Sequence, residues 1–151
     1  MKRILLSLSI LILQSHAHAS ALQDIIKCSK GDPLACDHTG MLFENGKGTK
    51  QNIDKAKRYY KKSCTLGDGT GCDHLAHLLQ KEQKYISASN YYLTGCHLNY
   101  ANACCDLALL YKKGNGVNLD YKKAKQYYKK ACSLGNKTSC KDYAYLDRNG
   151  I

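Results

Sequence analysis

Between Lys55 and Cys64, polar and apolar positions separate on a helical period. At about 100° per residue, Ala56, Tyr59, Tyr60, Ser63 and Cys64 fall on one half of the wheel, and Lys55, Lys57, Arg58, Lys61 and Lys62 fall on the other. The same separation runs from Lys122 to Cys132. The segment before it carries small-then-large apolar positions, Ala108 followed by Leu110 and Tyr111, and predicts an earlier helix. Gly46-Lys47-Gly48 and Gly114-Asn115-Gly116 supply residues that tolerate a left-handed backbone, so they end the first helix and turn the chain into the second.

This helix-turn-helix unit recurs. Eight of the nine cysteines form pairs eight residues apart, Cys28/Cys36, Cys64/Cys72, Cys96/Cys104 and Cys132/Cys140, and successive pairs are offset by 36, 32 and 36 residues. Periods of this size mark solenoids of small supersecondary units. Residues 36–64 and 104–132 match at Leu42/Leu110, Gly46/Gly114, Gly48/Gly116, Ala56/Ala124 and the Tyr pairs. The middle unit, 72–96, keeps Ala76, Leu78, Ala88, Tyr91 and Tyr92 but is four residues shorter at the glycine loop, which predicts a tighter turn.

Two cysteines eight apart on one helix lie about 12 Å apart along its axis, beyond the roughly 7 Å limit for bridged Cα atoms. A turn is therefore expected inside each pair, and Leu66-Gly67-Asp68-Gly69 and Leu134-Gly135-Asn136 provide one. Each bridge then ties the second helix of one unit to the first helix of the next. The Tyr-Tyr pairs suit this packing, one ring entering the inter-helix core with hydroxyls left at its wet edge.

Composition adds a compartment. Met1-Lys2-Arg3 followed by the apolar run Ile4–Leu13 reads as a secretory leader, too short to span a bilayer. Cleavage is expected after Ala19 (Ala17-His18-Ala19), with Ala19-Ser20-Ala21 as the alternative. The predicted organisation is a leader over 1–19 and a repeat domain over 20–151, about three to four repeats with half-units at both ends. The product is expected to be periplasmic or secreted and not membrane-spanning, in an oxidising location where cysteines pair. Removing Lys2 and Arg3 from 23 basic residues leaves 21 against 12 acidic, a net +9.

Ala108, Leu110, Tyr111, Gly114, Gly116, Val117, Asp120, Lys123, Ala124, Tyr127, Tyr128, Lys130, Ala131 and Cys132 together resemble a SEL-like (SLR) helical repeat. With a C-x7-C pair in each repeat and a leader, the chain is similar to the Helicobacter cysteine-rich proteins. The resemblance covers residue 22 to the C-terminus. It implies an all-α fold, a right-handed superhelical solenoid of SLR/TPR-like helix pairs stapled by four disulfides, with a concave face. It also implies a function, since members are described as penicillin-binding proteins or β-lactamases that open β-lactam rings slowly.

The residues themselves offer little for that chemistry. No Ser after the leader has Lys three residues on, as S-x-x-K requires. Lys137-Thr138-Ser139 is a faint match to K-T-G, but it falls where a turn is expected between Cys132 and Cys140. His74 and His77, with Asp73 adjacent, form the one close histidine pair after the leader; they lack a zinc-hydrolase pattern and are read as surface histidines, so neither metal nor other cofactor is expected. Cys105 is the odd cysteine. It falls where other units have Asp37, Asp73 and Lys141, which predicts an exposed position. Its alternatives are a free or dimer-forming thiol, exchange with Cys104 for Cys96, or a nucleophile whose pKa is depressed by His74 or a neighbouring Lys.

The competing function class is a non-catalytic interaction module, whose groove receives peptides or peptidoglycan fragments, at a host surface in one version. The basic charge favours an anionic ligand, such as the carboxylate of a β-lactam, although most lysines lie on the outer stripe of each second helix. Nucleic acid is not expected as a partner, because export removes the opportunity and no recognition motif is present.

Overall fold

The computed structural model describes residues 19–151; the predicted leader lies outside them apart from Ala19. The described residues are helical, with no strand among them. They fall into two compact units, one ending at Leu66 and the other beginning at Gly67.

In the first unit, a helix over 19–29 (α1) precedes α2 (Pro33–Asn45) and α3 (Ile53–Thr65). Asp32 caps α2 by accepting from Ala35 N, and Pro33 occupies the first turn, where its missing N–H costs nothing. Gly46 ends α2 at φ 71°, its N–H returning to Leu42 O. The Asn52 side chain then caps α3 at Lys55 N, while Asn52 N bonds back to Phe43 O at 2.8 Å. The two helices pack closely at Gly40, where an added Cβ would lie 2.5 Å from the Tyr60 ring. Tyr60 is fully buried and donates to Glu44 Oε2 at 2.7 Å. Tyr59 instead stacks on Phe43, with centroids 5.5 Å apart. The two members of a Tyr pair thus do different work.

The second unit contains α4 (Gly69–Lys81), α5 (Tyr85–His97), α6 (Ala101–Lys113), α7 (Tyr121–Ser133) and α8 (Lys137–Arg148). Consecutive helices pack on one another, and α4 also touches α6. The Gly114 loop repeats the Gly46 loop: φ is 71°, Asp120 N bonds to Tyr111 O, and Asp120 caps Lys123 N. The tighter α4–α5 turn has no glycine, so Gln83 takes the left-handed conformation at φ 60° and Lys84 N closes on Leu79 O. The core is Ala76, Ala88, Tyr92, Ala103, Leu107 and Leu110, followed by Ala108, Ala124, Tyr128 and Leu146. Small residues permit the close approach: a Cβ on Gly95 would sit 2.8 Å from the Ala103 Cβ.

The bridges lie where the spacing puts them. Cys28–Cys36 joins α1 to α2, Cys96–Cys104 joins α5 to α6, and Cys132–Cys140 joins α7 to α8, each with Cα atoms 4.6 Å apart. Cys64 and Cys72 are disulfide-bonded as well. Bridges of this kind persist in an oxidising, extracytoplasmic compartment. No helix among the described residues is long and apolar enough to cross a membrane.

Candidate functional site on the first helices of the second unit

The alternate helices α4, α6 and α8 share a polar seam. Asp73 and His77 are four residues apart and so project from one face of α4. The His77 Nε2 lies 3.1 Å from Asp106 Oδ2 of α6 and 3.5 Å from Asp73 Oδ2. Below the ring, the buried Tyr92 of α5 donates its hydroxyl to Gln80 Oε1 at 3.0 Å and meets His77 Nδ1 at 3.0 Å. With the phenolic proton committed to Gln80, Nδ1 carries the hydrogen of that second bond. Further along, Lys112 of α6 pairs with Asp142 of α8 at 3.9 Å, and Asn136 donates to Asn102 Oδ1 at 3.0 Å.

The electrostatics follow from two carboxylates around one imidazole. Hydrogen bonds to Asp106 and then Asp73 outweigh burial and push the His77 pKa up to about 10, so the ring is an imidazolium at neutral pH. Asp73 is buried, and its Oδ1 has no hydrogen-bond partner. Burial and the Asp106 and Asp73 charges raise the Tyr92 phenol as well. In the first unit, a related contact joins His38 Nδ1 of α2 to Asp24 Oδ2 of α1 at 2.8 Å.

Several sequence expectations need correction here. His77 does lie on the helix surface, half-exposed, but it is also held by Asp73, Asp106 and Tyr92, which the sequence reading did not foresee. Cys105 is a free thiol but half-buried rather than exposed. The repeat overlay misled because the equivalent Asp37 and Asp73 are themselves buried, at 7% and 4% exposure. Its surroundings are the reverse of activating. Burial pushes the Cys105 thiol up and three nearby aspartates add to this, against a single lowering contact from Ser139. Lys137-Thr138-Ser139 is not a turn but the first residues of α8, with Asn136 capping Ser139 N and Ser139 fully buried. The seam is mixed in charge rather than basic, since Asp73 and Asp106 face His77 and Asp142 faces Lys112.

Asp106, Tyr92 and Gln80 went unrecognised in the sequence. Asp106 holds in α6 the place that His74 holds in α4, two residues after the bridged cysteine, so the repeat register contained a signal for it. Nothing in the pattern distinguished Tyr92 from the other buried tyrosines.

The Sel1 repeat pattern matches residues 33–68 and 101–136. Such repeats are protein-interaction modules. No curated protein matches the chain in sequence. Among solved structures, a Sel1 repeat protein from Oxalobacter formigenes aligns with TM-score 0.80 and 21% identity, over 94% of this chain and 60% of that one. A protective antigen of uropathogenic Escherichia coli displaying an SLR fold aligns with TM-score 0.77 and 21% identity, over 86% and 29%. The chain thus spans less than two thirds of either protein. Cysteine rich protein B of Helicobacter pylori aligns with TM-score 0.65 and 26% identity, over 82% of this chain and 92% of that one. The matched repeats, the shared fold and the C-x7-C bridges make this chain a cysteine-rich Sel1-repeat protein.

Proposed function

We propose that the chain is an exported, non-catalytic interaction module that takes peptides, including peptidoglycan stem peptides, on the seam of α4, α6 and α8. The observation that carries this reading is the alternation of charge along the seam, with His77, Asp106, Lys112 and Asp142 all partly exposed. A ligand with both ammonium and carboxylate groups meets a partner for each there, which is what a peptide offers. Several lysines of the second helices are engaged with their own chain. Lys55 lies over Phe43, Lys123 over Tyr111 and Lys129 over Tyr143, while Lys130 donates to Cys96 O at 2.7 Å.

Export rests on the leader over 1–19, cleaved after Ala19, and on the bridges. β-Lactam hydrolysis, the activity that the family resemblance implies, needs an activated nucleophile and a base. A Cys105 thiol raised by burial and a His77 already protonated at neutral pH both weigh against it. The test is amide chemical-shift mapping with a soluble stem tetrapeptide. Saturable, salt-sensitive shifts on α4, α6 and α8 are expected. Shifts confined to α7, or none, overturn the reading.

A further inference from the structure

We infer that Asp73, His77 and Asp106 form a binding site for one divalent transition-metal ion of the zinc class. Their three ligand atoms lie within 4.8 Å of one another. Two of the separations, 3.1 Å and 3.5 Å, bracket the edge of roughly 3.3 Å that a tetrahedral ion with ligand bonds of about 2.0–2.1 Å imposes. Two carboxylates and an imidazole leave a fourth position open, and the half-exposed ring gives an ion access from solvent.

Three features point to a cation rather than to an incidental acidic patch. Asp73 is 4% exposed and its Oδ1 has no hydrogen-bond partner, so a buried carboxylate directed at His77 is left incompletely satisfied. The Tyr92–Gln80 chain keeps one ring proton on Nδ1, so an ion that displaces the other proton meets an Nε2 lone pair set between both carboxylates. Three acceptors converging on one point require a positive charge between them, which a proton or a metal ion supplies. Finally, the Nδ1–hydroxyl bond is the outer-shell contact that orients a metal-ligating histidine. Imidazole favours zinc, cobalt, nickel or copper over calcium or magnesium, whose ligands are oxygens. The inference goes beyond the proposed peptide binding, since an ion held by His77 and Asp106 leaves Lys112 and Asp142 to a peptide.

The test is isothermal titration calorimetry of tag-free, oxidised, chelator-treated protein with ZnCl2, with CoCl2 absorption as a second readout. One ion per chain is expected, with the d–d bands of tetrahedral Co2+. His77→Ala and Asp106→Asn should each weaken binding at least about tenfold, and Tyr92→Phe about 10-fold or more through the outer shell. Cys105→Ser should leave binding unchanged. Both ligand variants remove partly exposed side chains, and their thermal melts report whether they fold. Absence of zinc binding, or binding that folded His77→Ala and Asp106→Asn retain, overturns the assignment. Loss in Cys105→Ser alone does so as well, by moving the site to the thiol.

Discussion

Removing the Cys96–Cys104 bridge tests how far these short repeats depend on their staples. The bridge closes a loop of nine residues, counting both cysteines, from a separation of eight. Restricting the unfolded chain over such a loop is worth about 2.5 kcal/mol at 25 °C. Both cysteines are fully buried against Ala131, and replacing them with alanine forfeits some packing, so a total loss of about 3 kcal/mol is expected. For a unit of this size, about 4–8 °C per kcal/mol converts that into a fall of roughly 12–24 °C in Tm. The comparison is Cys96→Ala/Cys104→Ala in a Cys105→Ser background, so that no thiol remains to exchange, followed by circular dichroism at 222 nm. A loss below about 1 kcal/mol would refute the reasoning, because it would mean that the turn through Asn99 is already closed in the unfolded chain.

Other consequences are equally direct. Tyr92→Phe removes the hydroxyl shared by His77 and Gln80 and should cost about 1–2 kcal/mol in urea unfolding, since both partners reach solvent in part. Gly95→Ala places a methyl group 2.8 Å from the Ala103 Cβ and should cost about 1–3 kcal/mol, partly recovered in the double variant with Ala103→Gly. With its pKa raised to about 10, His77 contributes stability that is fully present below about pH 6.5 and lost as pH rises through about 10. Urea midpoints between pH 6 and 10.5 should fall on the alkaline side in a Cys105→Ser background and flatten when Asp106→Asn is added. Cys105, raised by burial, should react with a small disulfide reagent at pH 8 more slowly than a free cysteine, and faster reaction would contradict its half-buried setting.

The fold was legible in the sequence because its determinants are local and repeated. Cysteine spacing, a two-faced lysine and tyrosine wheel, and glycine loops each recur in register, so one unit explained the others. The site was less legible because it is assembled across repeats. Asp73 and His77 are four residues apart, but Asp106 and Tyr92 reach them only once α5 and α6 have packed on α4. Cys105 was misplaced for the related reason that position alone does not report burial. The structure buries Asp37 and Asp73, which share its register, and sequence pattern reads such aspartates as exposed.

Binding without turnover is the central functional claim, and steady-state hydrolysis of a chromogenic β-lactam by the purified, oxidised protein tests it most directly. The wild-type chain, Cys105→Ser and a chelator-treated sample are compared with a protein-free blank. The account predicts rates at the blank for all three, whereas turnover that survives dialysis and disappears in Cys105→Ser or with chelator would contradict it and name the group responsible.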